Sequence, residues 1–181
     1  MEKLLLHSCC GPCSSGVLDR VTKDYDVTVY FYNPNIYPEA EYEKRAKTQR
    51  EYLDQMGVTY VIADYVPDDY ENMIKGLENQ PEGGNRCLKC FELRLRKTAE
   101  FALNHGFDCF TTTLSVSPHK DYIAINRIGK QIEAEYGIKY LEENFKKQDG
   151  YLKSIQNSKK YGLYRQNYCG CKYSMPKVET K

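Results

Sequence analysis

Long hydrophobic runs are missing from this chain. Its apolar stretches are short and interrupted, and none approaches the roughly 18 residues that a membrane-spanning helix requires. Near the start, three leucines at residues 4–6 lead directly to His7, which is too short an apolar core for an export signal. We therefore expect a cytoplasmic protein with no membrane partner.

An excess of charge of one sign is missing as well. The net charge is +1 with 28% charged residues, which argues against disorder and against an acidic or basic tail. A chain of 181 residues is about the length of one domain, and it can bury about 70% of its unfolded surface without disulfide support. We predict a single domain over residues 1–181, with an α/β core at about 1–145 and a basic segment at 146–181 that completes the functional site.

Cysteine is abundant, with eight residues. Structural disulfides are rare in a reducing compartment, so clustered cysteines indicate a metal site or a redox site. The eighth, Cys109, lies in the apolar run FDCFTTTL and is predicted to belong to the core. The other seven form three clusters, which are Cys9, Cys10 and Cys13; Cys87 and Cys90; and Cys169 and Cys171.

Strands and helices alternate in the pattern. Segments rich in β-branched and aromatic residues predict strands at 3–7, 27–33, 58–65, 107–114 and 138–145. Helical periods separate them, and Gly57, Gly106 and Gly137 each end a helix directly before a strand. These junctions predict an α/β fold with a mainly parallel five-stranded sheet and helices on both faces. Ligands bind beyond the carboxyl ends of such strands, where the first cysteine cluster and Asp64 are expected.

The first two cysteine clusters are compatible with three kinds of site. A structural zinc ion would take Cys87, Cys90 and two thiolates of the first cluster. A thiol-disulfide oxidoreductase would use Cys10 and Cys13 of the sequence CGPC. An iron-sulfur cluster needs four thiolates and tolerates irregular spacing, and we favour it because it leaves the third cysteine pair for a redox role. Cys87 and Cys90 are expected on the first turn of a helix, where free amide groups favour thiolate.

The third cluster lies in a basic segment. Cys169 and Cys171 flank one glycine, a spacing that suits either a strained, labile disulfide or a second pair of metal ligands. Tyrosines alternate with positive charge nearby, a pattern suited to stacked bases and phosphates, although a solvated lysine face is an equal alternative. The basic residues are Lys146, Lys147, Lys153, Lys159, Lys160, Arg165 and Lys172.

Several other residues are candidates with an ordinary structural alternative. His7 and Asp64 end predicted strands and are candidate proton donors, or a core histidine and a capping residue. Asn33 and Asn35 fit a turn or substrate contacts. A hydroxyl-rich rim that either binds phosphate or ribose or simply ends a strand comprises Thr111, Thr112, Thr113, Ser115, Ser117 and His119.

Five segments resemble a known family when taken together. They are HSCCGPCS, FYNPNIYPEAEYEKR, RCLKCFELRLRKTAEFA, FTTTLSVSPHKD and YRQNYCGCKYS, and they occur in order from residue 4 to residue 174. The chain is similar to the cobalamin-independent epoxyqueuosine reductases of the QueH family. The resemblance implies reduction of epoxyqueuosine to queuosine at the wobble position of tRNA, with an electron donor that the sequence does not identify.

The resemblance also implies a set of site residues and a fold. It implies a [4Fe-4S] cluster on Cys9, Cys10, Cys87 and Cys90, Cys13 as a candidate ligand of an additional iron, and a PP-loop or HUP-like nucleotide-binding architecture. It further implies a redox-active disulfide between Cys169 and Cys171. Removal of an epoxide oxygen consumes two electrons and two protons, so we expect this pair to relay electrons and Asp64 or His7 to protonate the leaving oxygen. A thiol-disulfide oxidoreductase and a zinc-stabilised RNA-binding module are the alternative functions.

Overall fold

The computed structural model describes residues 1–145 and 149–176. This part of the chain forms one parallel sheet in the order β3-β2-β1-β4-β5. The predicted α/β fold with a parallel five-stranded sheet is confirmed. The strands are β1 (Glu2–His7), β2 (Tyr25–Phe31), β3 (Thr59–Ile62), β4 (Cys109–Thr112) and β5 (Lys139–Tyr140).

The last strand is shorter than the sequence pattern predicts. The backbone hydrogen bonds between β5 and β4 end with the Leu141 amide, which donates to the Phe110 carbonyl. Beyond this point, side chains bind the backbone carbonyls instead. The hydroxyl of Thr111 donates to the Leu141 carbonyl at 2.7 Å, and that of Ser115 donates to the Glu143 carbonyl at 3.4 Å. These side-chain contacts replace a regular ladder at the edge of the sheet.

Helices connect the strands and cover both faces of the sheet. Gly57 and Gly137 adopt the left-handed conformation directly after α3 and α6, as the sequence predicts. Leu4 and Leu6 pack on one face in a cluster with residues of α2 and α3, whereas Leu5 packs on the other face with residues of α5 and α6. The helices are α1 (Gly11–Ser15), α2 (Leu18–Val21), α3 (Glu39–Met56), α4 (Pro67–Met73), α5 (Asn85–Asn104), α6 (Tyr122–Tyr136) and α7 (Gly150–Tyr161).

The strand order places a crevice beside the central strand. The chain runs outward from β1 to β2 and β3 in one direction and to β4 and β5 in the other, so the loops after β1 and β4 diverge at the carboxyl edge. The carboxyl-terminal part returns to the core here, since Asn157 of α7 donates to the Ser15 carbonyl of α1 at 2.8 Å. The division into core and basic segment stays a prediction.

None of the described helices has the length and apolar character to cross a membrane.

Candidate functional site

Cysteines from three distant segments line one cavity of about 690 Å³. The loop after β1 carries the first cluster, the start of α5 carries the second, and the segment after α7 carries the third. Residues of all three clusters therefore share one cavity, whereas the sequence predicted a meeting of only the first two. The cysteines on the cavity wall are Cys9, Cys13, Cys87, Cys90, Cys169 and Cys171.

The first cluster is the most compact. The sulfur atoms of Cys9, Cys10 and Cys13 all lie within 4.8 Å of one another, and those of Cys9 and Cys10 are 3.9 Å apart. The loop is shaped by Cys10, which caps α1 by accepting a hydrogen bond from the Cys13 amide at 3.4 Å, and by Pro12 in the first turn. Two thiolates on one tetrahedral zinc ion are about 3.8 Å apart, given Zn–S bonds of about 2.3 Å. The compact cluster alone therefore also suits a single ion.

The three thiols of this cluster ionise unequally. Hydrogen bonds from the Cys10 and Cys13 thiols lower the pKa of Cys9, and the charge of Lys120 and the Thr113 hydroxyl add to that effect against burial. The pKa of Cys10 rises to about 12, because the Cys9 sulfur and burial outweigh a lowering contact with Cys13. Hydrogen bonds to Cys10 and Cys9 raise the pKa of Cys13, as does its burial. Among the three, Cys9 is therefore the thiol that loses its proton most readily.

The second cluster occupies the first turns of α5. Cys87 accepts a hydrogen bond from the Gly83 amide at 3.2 Å, and Cys90 is buried one turn further along. Burial nevertheless raises the pKa of Cys87, and it raises the pKa of Cys90 to about 12. The expectation that the helix start favours thiolate here is wrong for the free protein, because loss of hydration outweighs the nearby amides. Among the described residues, this pair does not join the compact group of three.

A positively charged wall faces the cysteines. Arg94 lies one turn beyond Cys90, is only 2% exposed and lines the cavity. Its Nη1 donates to the Asn33 side chain at 3.3 Å, but its buried Nη2 has no hydrogen-bond partner among the described residues. Burial opposes the charge of Arg94, yet the sulfurs of Cys90, Cys169 and Cys9 outweigh it and raise the pKa.

Lys120 adds a second cation to this wall. It lines the cavity, and although burial lowers its pKa, the charges of Cys169, Cys9 and Cys13 raise it further. Neither Arg94 nor Lys120 is singled out by the sequence pattern. For Arg94 a signal was available, since a charged residue four positions after Cys90 falls on the same buried face of α5.

The predicted proton donors lie away from the cavity wall. His7 is completely buried, with Nδ1 2.9 Å from the Thr112 hydroxyl and Nε2 2.9 Å from the Tyr32 carbonyl. Burial and the charge of Arg94 lower its pKa to about 4, so His7 is a neutral core group near pH 7. Asp64 is exposed at the end of β3 and is not part of the cavity lining. Their catalytic roles stay predictions.

The remaining candidates divide between structure and cavity. Thr111, Thr112 and Ser115 make internal hydrogen bonds, whereas Ser117 and His119 line the cavity. Asn33 donates to the Ser8 carbonyl at 2.8 Å and so holds the turn after β2. Asn35 is 3% exposed, lines the cavity, and its side-chain oxygen has no partner in the described part of the chain. Cys109 is fully buried in the core, as predicted.

The third cluster also lies on the cavity wall. Residues 165–169 and Cys171 line the cavity, and both cysteines are free thiols. The Cys171 sulfur is 3.4 Å from the Ser174 hydroxyl. From α7, Tyr151 and Ser154 reach the same cavity, while Lys153, Lys159 and Lys160 are exposed on that helix. Lys146 and Lys147 lie outside the described residues.

Comparisons with known proteins connect this arrangement to one family. The sequence profile of "Epoxyqueuosine reductase QueH" matches residues 4–177. The epoxyqueuosine reductase QueH of Streptococcus pyogenes serotype M1 is 44% identical over 177 residues, covering 94% of this chain and 69% of the relative. The protein of the same name from Staphylococcus epidermidis is 43% identical over 183 residues, covering 97% of this chain and 77% of the relative.

A solved structure supports the fold independently. The predicted subunit of a tRNA methyltransferase from Methanocaldococcus jannaschii superposes with a TM-score of 0.54, covering 91% of this chain and 90% of that one. Its sequence identity is 11%, so the likeness concerns the α/β fold alone. By the match of the family profile and of both relatives, the chain belongs to the epoxyqueuosine reductase QueH family.

Proposed function

We propose that the cysteine-lined cavity is the site where this protein reduces epoxyqueuosine to queuosine at the wobble position of tRNA. One observation supports this above all: in a chain of this family, cysteines from three separate segments line a single cavity. The reaction breaks both carbon–oxygen bonds of the epoxide, leaves an alkene and releases the oxygen as water. It therefore consumes two electrons and two protons, and the protein is an oxidoreductase.

The residues of the cavity suit an iron-sulfur cluster. Cys9, Cys87 and Cys90 of the cavity wall would hold a [4Fe-4S] cluster together with Cys10, which is not part of the lining but has its sulfur 3.9 Å from that of Cys9. Cys13 would be a ligand of an additional iron. The fit is supported by the number of thiols at the cavity and by the unpartnered Nη2 of Arg94, which offers a hydrogen bond to an anionic sulfur. When bound, such a cluster supplies electrons one at a time at a potential set by its surroundings.

The third cysteine pair matches the electron count of the reaction. Oxidation of the Cys169 and Cys171 thiols to a disulfide releases two electrons and two protons, which equals what one epoxide requires. Both thiols are on the cavity wall. The cations Arg94 and Lys120 would stabilise negative charge that develops on the epoxide oxygen, since fixed charges in a buried site need little reorganisation.

The surface beside the cavity suits a tRNA substrate. Three exposed lysines extend along α7, and Tyr151 and Arg165 connect that helix to the cavity rim. Lysines attract phosphates without regard to sequence, and aromatic rings stack on unpaired bases. We infer that α7 contacts the tRNA backbone while the wobble nucleotide enters the cavity. A cytoplasmic location follows from this substrate.

The proposal is tested with oxygen-free protein and tRNA that carries epoxyqueuosine. Iron and acid-labile sulfide are measured first, and digested tRNA is then analysed by mass spectrometry after incubation with dithionite. We expect brown protein and conversion to queuosine in proportion to cluster content. Absence of conversion by protein that contains iron and sulfide would contradict the proposal. Colourless protein with bound zinc would favour an RNA-binding module, and insulin reduction that survives chelation would favour a thiol oxidoreductase.

A further inference from the structure

The segment that carries the third cysteine pair is held by one buried arginine of α3. Arg45 is only 2% exposed and lies 124 positions before Cys169 in the chain. Its Nη1 donates to the Cys169 carbonyl at 2.9 Å, and its Nη2 donates to the Tyr168 carbonyl at 3.1 Å. The guanidinium also lies 5.1 Å from the centre of the Tyr168 ring. A planar fork of this kind fixes both position and direction of the backbone that it binds.

Three consecutive carbonyls are fixed in this way. Immediately after the two that Arg45 binds, the Gly170 carbonyl accepts a hydrogen bond from the Tyr37 amide at 2.8 Å. The Tyr168 hydroxyl in turn donates to the Tyr37 carbonyl. The backbone from residue 168 to residue 170 is therefore bound to a frame formed by α3 and the turn before it.

The frame itself is anchored. The Nε of Arg45 donates to the Glu41 carboxylate at 2.9 Å, one turn earlier on α3. The same carboxylate accepts a hydrogen bond from the Tyr164 hydroxyl at 2.9 Å. Charge pairing compensates the buried guanidinium, so that its two terminal nitrogens are free to bind peptide carbonyls.

Gly170 allows this close approach. Its φ is +142°, which side-chain-bearing residues rarely adopt, and a Cβ at this position would lie 3.1 Å from Arg45 Nη1 and 3.2 Å from Asn35 Nδ2. A side chain at this position would therefore strain the backbone and crowd the guanidinium. The pairing of Arg45 with this glycine thus determines where Cys169 lies relative to the cavity.

We propose that Arg45 is a positioning residue that holds Cys169 and Cys171 in the dithiol arrangement facing the cavity. The inference rests on the proposed function in one respect, namely that this pair is the redox pair. Both cysteines are thiols in the structure in which the three carbonyls are bound. Closing a bond between two sulfurs separated by one residue rotates the intervening backbone, so the bonds from Arg45 stabilise the dithiol over the disulfide. The pair is therefore more oxidising with Arg45 than without it.

The test measures the redox equilibrium of this pair in the full chain without tRNA. Oxygen-free protein is equilibrated in glutathione buffers of graded ratio, alkylated, and the peptide with both cysteines is quantified by mass spectrometry. In Arg45→Gln we expect the equilibrium to move about tenfold toward the disulfide, which is about 30 mV for a two-electron couple. Arg45→Lys retains the positive charge but not the planar guanidinium, so it should shift the equilibrium less than Arg45→Gln does. Arg20→Gln is the matched control, since it removes an arginine that pairs with Glu143 instead.

A second variant covers the case in which Arg45→Gln does not fold. Gly170→Ala keeps the buried ion pair but moves the segment from Arg45, and it should shift the equilibrium in the same direction. An unchanged equilibrium in a folded variant, or a pair that never oxidises, would overturn the inference. The outcomes separate from those of the reductase assay. If the redox equilibrium shifts but epoxide is not converted, the positioning role of Arg45 stands and the proposed reductase function fails. If epoxide is converted but the equilibrium does not shift, the reductase function stands and the positioning role fails.

Discussion

Cys9 is bound to Thr113 across the crevice between β1 and β4. The Cys9 amide donates to the Thr113 hydroxyl at 3.2 Å, and the Cys9 sulfur lies 3.4 Å from the same oxygen. One residue follows the central strand and the other follows its neighbour, and both are buried. Because β1 and β4 are neighbours in the sheet, Thr113 lies beside Cys9, and its single hydroxyl group contacts both the amide and the sulfur of that cysteine.

This relationship predicts the effect of Thr113→Val. The substitution leaves the Cys9 amide without its partner, and an unsatisfied buried donor costs about 1–3 kcal/mol. We expect a fall of that size in the free energy of unfolding, measured in urea, and faster loss of iron to a chelator. Thr113→Ser keeps the hydroxyl and is expected to retain its iron. Equal chelation rates in the valine and serine variants would contradict this account of the loop.

The cysteine variants distinguish a multi-iron centre from a single ion. A cluster held by four cysteines needs Cys87 and Cys90, whereas one ion on the compact group needs only Cys9, Cys10 and Cys13. We expect Cys87→Ser and Cys90→Ser to lose most of their iron and sulfide when purified without oxygen. Metal analysis and visible absorption measure this directly.

The control for these variants is Cys109→Ala. Cys109 is buried in the core and is not part of the cavity lining, so its loss should leave the metal content unchanged. Full metal content in both Cys87→Ser and Cys90→Ser, combined with its loss in Cys13→Ser, would refute the proposed ligand set. That result would indicate that the metal is bound by Cys9, Cys10 and Cys13 without the cysteines of α5.

Arg94 is expected to set the potential of the centre. Removal of a buried positive charge beside an anionic centre disfavours the addition of an electron. In Arg94→Gln we expect the midpoint potential to fall by roughly 60 mV, a tenfold change for one electron, in a titration followed by electron paramagnetic resonance. Arg96→Gln is the control because Arg96 is on the same helix but pairs with Glu92 and Glu135. A potential that is equal in the Arg94 and Arg96 variants would show that Arg94 has no such effect.

The fold could be predicted from the sequence because its signals are local. Strand composition and the glycines at the ends of helices, such as Gly57, report on neighbouring residues along the chain. The place of the first cysteine cluster followed from one further rule, that parallel strands present their carboxyl ends at one edge. These steps need no knowledge of side-chain contacts.

The features of the site that could not be predicted from the sequence depend on contacts between residues far apart in the chain. Arg45 binds carbonyls 123 and 124 positions away, and neither partner has a side-chain signature for that bond. Arg94 is recognisable as a charge on a buried helix face, but only the fold shows that it faces three cysteine clusters. The ionisation of Cys87 was predicted in the wrong direction because the extent of its burial is not encoded in the spacing.

The lysines of α7 predict a salt-dependent affinity for tRNA. Lys159 and Lys160 are exposed in the last turn of that helix, so they are available to phosphates. Each neutralised phosphate adds roughly 0.7 to 0.9 to the slope of log affinity against log salt concentration. In the double variant Lys159→Glu, Lys160→Glu we expect weaker binding and a slope lower by about one to two, measured by fluorescence anisotropy between 50 and 200 mM salt.

The matched control reverses a charge at the opposite edge of the sheet. Lys23 is exposed just before β2, at the amino ends of the strands, so Lys23→Glu should bind tRNA as the unmodified protein does. Metal content should stay the same in all of these variants, because none of the three lysines lines the cavity. If the α7 variant and the Lys23 variant show the same slope, α7 is only a solvated surface. The tRNA would then approach the cavity from another side.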